Sequence, residues 1–193
     1  MSMLRRRDLV ERYTKAQVQL LSEAGERIYA ATKLRKAATE SALGAHYQVF
    51  LSHSYDDARV INQLRDMLVA QGFSTYVDWL EDGHLDRGNV TSATVTLLRE
   101  RMQSCQTLIY ATSPSAEHSV WMPWELGFMD AKTSRVVVAP IQDDDREFRG
   151  REFLCIYPYL DLTNDRFYVH ANAGSYVTLS EWVAGKTPTN SSG

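Results

Sequence analysis

Short apolar runs that alternate with helix-forming stretches constrain the fold of this chain more than any other feature. Tyr47–Leu51, Phe73–Val77 and Val136–Ile141 are rich in β-branched and aromatic residues, which predicts strands. The first intervening amphipathic stretch runs to Gln71, with Gly72 as its stop. Strands that alternate with helices are typical of a parallel sheet covered on both faces. The sequence therefore predicts an α/β fold.

The rest of the chain continues this alternation. The further predicted elements are a helix at Thr91–Gln103, a strand at Thr107–Ala111, a helix at Pro123–Lys132 and a final strand near Tyr157–Leu162. A long charged loop spans Asp78 to Gly88. Parallel sheets bind ligands outside the carboxyl ends of their strands. We therefore expect the polar loops and the start of the Pro123–Lys132 helix to meet at one edge.

Residues 1–45 are predicted to form an N-terminal helical extension. Apolar residues recur every three or four positions from Asp8 to about Glu40, which indicates one long helix or a pair broken near Gly25. Residues 1–46 carry a charge of +4, which leaves −7 for the rest of a chain whose net charge is −3. Because an amphipathic helix gains most of its stability from packing, the extension is expected to dock on its own domain, on a second copy or on an effector.

Composition argues against several other classes of protein. A net charge of −3 does not suit a nucleic-acid-binding surface. No run approaches the ~18 apolar residues of a membrane span, and residues 1–7 lack the apolar core of a signal peptide, so we expect a soluble, cytoplasmic protein. The five histidines show no metal-ligand spacing, and no metal is expected. Cys105 and Cys155 are expected to be reduced, buried thiols.

One carboxylate beside two tryptophans is the strongest candidate for chemistry. The run Ser119–Gly127 contains Trp121, Trp124 and Glu125, and Pro123 indicates the first turn of a helix. An acid in a first turn interacts well with the helix dipole, which would explain Glu125 as a purely structural residue. Two large aromatic residues so close to the acid suit a site that grips a flat or ribose-bearing ligand.

Three blocks of this sequence together resemble a Toll/interleukin receptor (TIR) domain. They are Tyr47–Ser54, Gly72–Asp78 with the downstream Leu85–Gly88, and Ser119–Trp121 with Glu125. The blocks follow the family's order and spacing and cover about residues 46–165. The resemblance implies a flavodoxin-like TIR fold with a parallel sheet of about five strands. Residues 166–193 are left as a C-terminal segment with a flexible tail.

The resemblance implies two functional classes. One is a non-catalytic module for TIR–TIR assembly, and the other is an enzyme of the bacterial, NAD-cleaving type that keeps the family's glutamate. The second class implies a role in antiphage defence, with NAD as substrate and no bound cofactor. Its products would be nicotinamide and either ADP-ribose or a cyclic ADP-ribose-type signal for a downstream effector. Another N-glycosidic enzyme, similar to nucleoside deoxyribosyltransferases, is a more distant alternative.

Chemistry makes one carboxylate sufficient for the enzymatic class. Glycosidases use a second carboxyl group to protonate the departing oxygen, but nicotinamide leaves NAD as a neutral molecule and needs no acid. Glu125 is thus the catalytic candidate, stabilising the positive charge that develops on the ribose. Six residues are candidates for substrate contacts, and they are His53, Ser54, Asp78, Trp79, Arg87 and Trp121.

Three of these candidates have plain alternatives. His53 also fits an ordinary turn histidine, Arg87 a surface salt bridge, and Trp121 a core residue that fills space beneath the loop. The loop from Asp78 to Gly88 is longer than the compact family pattern. Since the family builds active sites between subunits, the resemblance favours a homo-oligomer in which this loop approaches Glu125 of the next copy.

Overall fold

The computed structural model describes residues 4–5, 46–78, 91–142 and 152–188. The helix expected at residues 8–40 lies outside these ranges, as do Trp79, Arg87 and most of the charged loop. The predictions for those residues stay predictions.

Within these ranges the chain forms one sheet with helices between its strands. The strands are β1 (Leu4–Arg5), β2 (Tyr47–Ser52), β3 (Thr75–Tyr76), β4 (Cys105–Thr112), β5 (Val136–Gln142), β6 (Tyr159–Thr163), β7 (Arg166–Asn172) and β8 (Ser175–Thr178). The α-helices are α1 (Ala58–Ala70), α2 (Ser92–Gln103), α3 (Trp121–Thr133) and α4 (Leu179–Val183). Short 3-10 helices occupy Tyr55–Asp57, Ser115–His118 and Glu152–Ile156.

The strand order is β3-β2-β4-β5-β6-β7-β8, and β1 pairs with the end of β5. From β3 to β6 neighbouring strands are parallel, whereas β7 and β8 are antiparallel additions. The predicted α/β fold with about five parallel strands is therefore confirmed. The helices α1, α2 and α3 lie in the crossovers that lead to β3, β4 and β5, as the alternating sequence pattern predicts.

Each face of the sheet packs against its own apolar cluster. On one face, Leu64 and Leu68 of α1 join Val49 and Val137 of the sheet. The opposite cluster combines α2 and α3 with other strand residues, and its members include Leu98, Met122, Leu126, Met129, Phe50 and Leu108. Since neighbouring residues of a strand point to opposite faces, β2 and β4 are buried on both sides, and α3 covers the face to which Phe50 points.

The sheet continues past residue 165, where the sequence placed the end of the TIR domain. β6 and β7 pair through a tight turn in which Asn164 and Asp165 have φ values of 50° and 57°. Phe167 and Val169 of β7 belong to the same cluster as α1. The expected boundary thus falls within a hairpin rather than at an edge of the sheet. Helix–strand alternation does not reveal such a hairpin, because no helix separates its strands.

The beginning of the chain also contributes to the sheet. Leu4 and Arg5 pair in parallel with Ile141 and Gln142 at the end of β5. These two residues precede the helix expected from Asp8 to about Glu40, so that helix stays a prediction. Two residues are too few to show a strand period in the sequence.

The two cysteines differ in their surroundings. Cys105 is buried at the start of β4, and burial raises the pKa of its thiol to about 12. Cys155 is exposed, so the expectation that both thiols are buried is wrong for this residue. It lies in the 3-10 helix Glu152–Ile156, of which only part faces the core.

The hairpin beyond residue 165 predicts a stability effect. Phe167 is 1% exposed, so Phe167→Ala should lower the free energy of unfolding by about 3–5 kcal/mol, the usual cost of truncating a buried phenylalanine. Tyr176→Ala, at a residue that is 51% exposed, is the matched control and should cost about 1 kcal/mol or less. Urea unfolding measures both. Equal, small losses would show that residues 166–188 do not belong to the cooperative core.

Candidate active site

Glu125 lies at the carboxyl edge of the parallel strands. It is the fifth residue of α3, because that helix begins at Trp121 and not at Pro123. Glu125 is therefore beyond the first turn, and the explanation by the helix dipole is wrong. Pro123 fits as the third residue, since the first four N–H groups of a helix have no intrahelical acceptor. The first turn is instead supported by the Ser119 hydroxyl, which accepts a bond from the Met122 N–H at 3.3 Å.

The Glu125 carboxylate is buried and bonded to the last residue of β2. Its side chain is 0% exposed, as is that of Ser52. The Ser52 hydroxyl donates a hydrogen bond of 2.6 Å to Glu125 Oε2. A short bond from a hydroxyl to a carboxylate is among the stronger hydrogen bonds that proteins form. It joins α3 to the central strand at the edge where parallel sheets bind ligands.

Tyr110 lies beside this pair. It is the partner of Ser52 in the register of β2 and β4, so the two side chains are neighbours on the same face. Burial, followed by the nearby negative charge of Glu125, raises the pKa of the Tyr110 hydroxyl. Both effects disfavour the phenolate. Ser52 and Tyr110 thus place polar groups on the face of the sheet covered by the Glu125 helix.

His53 is a buried residue that bonds to the backbone and faces a carboxylate. Its Nδ1 donates to the carbonyl oxygen of Leu51 at 2.9 Å, because a carbonyl can only accept. Its Nε2 lies 3.6 Å from Asp78 Oδ1, and the two side chains are 2% and 5% exposed. His53 thus follows β2 directly and is buried, and its contact with a substrate stays a prediction. Two of the predicted substrate-binding residues, His53 and Asp78, lie side by side.

A second buried pair follows the end of β4. The hydroxyl of Ser113 donates a short hydrogen bond to Asp57 Oδ2, and its oxygen accepts the N–H of Ala116 at 3.1 Å. Asp57 occupies the N-cap position of α1, but its side chain makes no capping bond there. The Asp57 carboxylate instead accepts the hydrogen bond from Ser113, at the edge of the sheet where β4 ends. Ser54, which lies between His53 and Asp57 in the sequence, is also buried.

Trp121 lies one helical turn before Glu125, on the same side of α3. It is half-buried and packs against the core cluster of α2 and α3 together with Trp124. The two rings meet edge to face, with centroids 5.7 Å apart. The Arg99 guanidinium lies 5.9 Å from the centroid of the Trp124 ring. Trp121 therefore combines core contacts with a surface that remains open.

Sequence reasoning missed three polar residues of this edge, Ser52, Tyr110 and Ser113. Ser52 follows Phe50 by two positions and must share its face, which is the face that α3 covers. The sequence thus indicates that Ser52 and Phe50 share a face. It does not identify Glu125 as the partner of Ser52, because the two residues are 73 positions apart.

Lys132 bonds the carboxyl-terminal end of α3 to the neighbouring elements. Lys132 Nζ donates to the carbonyl oxygens of Met102, Gln103 and Cys105 at 2.9, 2.7 and 2.9 Å. These groups lie at the end of α2 and the start of β4, where helix carbonyls lack partners of their own. Burial lowers the pKa of Lys132. The helix that carries Glu125 is thus bonded to the rest of the fold near both of its ends.

The described ranges show neither a metal-binding cluster nor a membrane-spanning helix. Among these residues, no three or more His, Cys, Asp or Glu side chains are grouped as a metal ion would require. No helix within the same ranges has the length and apolar character needed to cross a bilayer.

Comparison with known proteins identifies the class and then the family. The family model described as "Thoeris protein ThsB, TIR-like domain" matches residues 50–146. A curated relative from Bacillus cereus (strain MSX-D12), "Probable 3' cyclic ADP-D-ribose synthase ThsB'", is 41% identical over 145 residues, which are 71% of this chain and 75% of the relative. These matches define a TIR-like domain. Within that class, the chain belongs to the family of the Thoeris protein ThsB, and the resemblance to bacterial TIR proteins is confirmed.

The chain also has two more distant matches. "Putative cyclic ADP-D-ribose synthase TIR2" from Cytobacillus dafuensis is 30% identical over 83 residues, which are 42% of this chain and 22% of that protein. The crystal structure of the TIR domain of the Toll-related receptor TRR-2 from Hydra magnipapillata has a TM-score of 0.44 and 22% identity, over 60% of this chain and 83% of that one.

The burial of His53 predicts that its removal destabilises the fold. His53→Ala should lower the free energy of unfolding by about 2 kcal/mol or more, because a buried ring, its bond to Leu51 and its contact with Asp78 are lost together. His118→Ala, in an exposed position, should change it by about 0.5 kcal/mol or less. Urea titrations followed by circular dichroism compare them. Equal urea midpoints for the two variants would contradict a stabilising role for the His53 side chain.

Proposed function

We propose that this protein cleaves the nicotinamide–ribose bond of NAD and forms a cyclic ADP-ribose-type signal in bacterial antiphage defence. The observation that carries the proposal is the buried Glu125 carboxylate, bonded to Ser52 at the carboxyl edge of the sheet. Two relatives bear the name of cyclic ADP-D-ribose synthases, which supports an NAD-processing enzyme. The family name supports a role in the Thoeris system.

The first chemical step needs only one carboxylate. The bond between ribose C1 and the pyridinium nitrogen breaks, and its electron pair leaves with nicotinamide, which departs neutral. Positive charge develops on the ribose, and the Glu125 carboxylate opposes it. A fixed charge in a water-poor site is worth far more to such a transition state than the same charge in water.

Burial of Glu125 sets a condition on this step. The carboxylate has no exposed surface in the described state. The ribose of NAD therefore reaches it only when neighbouring groups move apart as the substrate enters. Return of these groups around bound NAD would then exclude water from the reacting centre.

The second step decides the product. Attack by water on ribose C1 releases a proton and gives ADP-ribose. Attack by a nucleophile on the adenosine half of the same molecule closes a ring, and when that nucleophile is a hydroxyl its proton must also leave. Glu125 is able to accept this proton, since its charge is no longer needed once the cation has reacted. The names of both relatives favour the cyclic product.

The substrate contacts in this proposal come from the residues around Glu125. Trp121, one turn earlier on α3, offers an aromatic face for the nicotinamide or the ribose. His53, Asp78 and Ser54 occupy the edge where the rest of the dinucleotide would lie. Trp79 and Arg87 are proposed to complete the contacts. In this scheme the protein is cytoplasmic and self-associates through TIR–TIR contacts, and a downstream effector protein responds to the signal.

Product analysis tests the activity directly. The purified protein is incubated with NAD over a range of protein concentrations, with and without a crowding agent, and the products are separated by chromatography. Nicotinamide should appear together with a product that has the mass of a cyclic ADP-ribose, which is one water lighter than ADP-ribose. Unchanged NAD at every concentration would favour the alternative of a non-catalytic assembly module.

Glu125→Gln tests the catalytic role. The amide keeps the shape of the side chain but removes the charge, so turnover should fall by about a hundredfold to a thousandfold. Glu100→Gln removes the same charge from an exposed position on α2 and should leave turnover unchanged. Melting curves establish that both variants are folded. Wild-type turnover in folded Glu125→Gln would contradict the assignment.

A further inference from the structure

The bond between Ser52 and Glu125 points to a second functional residue. We propose that Ser52 is the positioning residue for Glu125: its hydroxyl holds Oε2 and thereby fixes the orientation of the carboxylate toward the ribose. The inference rests on the proposed function. It adds a residue that was not among the candidates from the sequence, and it assigns to that residue a role in kcat rather than in binding.

Geometry gives Ser52 control over the carboxylate. A glutamate side chain turns about three bonds, and its position on α3 alone does not fix where the oxygens lie. Ser52 is on β2, which pairs with β3 on one side and β4 on the other. The donor is therefore held by a rigid element, and a 2.6 Å bond from it immobilises the acceptor. Productive geometry in an active site has to be kept within fractions of an ångström.

Burial excludes a direct contact between Ser52 and the substrate in the described state. The residue is 0% exposed, and a hydroxyl has one proton, which Ser52 already donates to Glu125. Loss of the hydroxyl should thus leave NAD binding intact and impair the step in which the carboxylate meets the developing cation. This separates Ser52 from a residue that merely lines the pocket.

The chain offers a matched control at the neighbouring strand. Ser113 also donates to a buried carboxylate, that of Asp57, just after the end of β4. Removal of either hydroxyl leaves a buried carboxylate with one donor fewer. Loss of the Ser113 hydroxyl also removes the acceptor of the Ala116 N–H, so its cost in stability should be at least as large. Of these two serines, Ser52 is the one bonded to Glu125.

The experiment compares steady-state kinetics with NAD for Ser52→Ala, Ser52→Thr and Ser113→Ala. Ser52→Ala should lower kcat by about tenfold to a hundredfold, the rate equivalent of a lost hydrogen bond to a charged group, with KM within about twofold of wild type. Ser52→Thr keeps the hydroxyl and suits a strand, so it should recover most of kcat. Ser113→Ala should lower the melting temperature while kcat stays within about twofold of wild type.

A second measurement does not depend on turnover. In the Glu125→Gln background, Ser52→Ala should leave NAD affinity by calorimetry unchanged. The losses in unfolding midpoint for Ser52→Ala and Glu125→Gln should also be non-additive, because they break the same bond.

The outcomes separate the two proposals. Wild-type kcat in folded Ser52→Ala, or an equal loss of kcat in Ser113→Ala, overturns the positioning role while the proposed function stands. Additive losses in unfolding midpoint overturn the bond itself. If the wild-type protein consumes no NAD, the proposed function fails and the role of Ser52 in it fails too.

Discussion

Burial of the central strands on both faces is the constraint on which the rest of this structure depends. β2 and β4 each lie between two apolar clusters, and neither strand carries a charged side chain. Buried carboxylates are bonded where these strands end, by Ser52 on β2 and by Ser113 just after β4. The position of the candidate site is thus a consequence of how the core is built.

The polar edge is stable because its charged groups are held in hydrogen-bonded or ion-paired contacts. Glu125 and Asp57 each accept a hydroxyl proton, and Asp78 faces the ring of His53. A buried carboxylate without such contacts would lose far more hydration energy than the fold could supply. These contacts come from elements that are distant in sequence. The edge therefore forms only when the sheet and α3 are already assembled.

The local sequence was sufficient to predict the strands and helices but not the residues at which each one begins and ends. The strands around Tyr47–Leu51 and Val136–Ile141 and the glycine stop at Gly72 were predicted correctly, because strand composition and helix termination are local properties. The start of α3 was placed two residues late because Pro123 fits any position of a first turn. The burial of His53 and the bond between Ser52 and Glu125 depend on packing between distant segments, which no short window of sequence contains.

Leu4–Arg5 pair with Ile141–Gln142, so the sheet includes residues from before the domain boundary expected near residue 45. Sequence periodicity suggests a cut near residue 45, as though everything before it were an appendage. Such an excision would remove a strand from the sheet and expose backbone donors and acceptors at the end of β5. Parallel strands end at a common edge of the sheet. The unpaired backbone groups would therefore lie at the same edge as Glu125. A fragment trimmed in this way would differ from the intact chain in the framework of its candidate active site as well as in length.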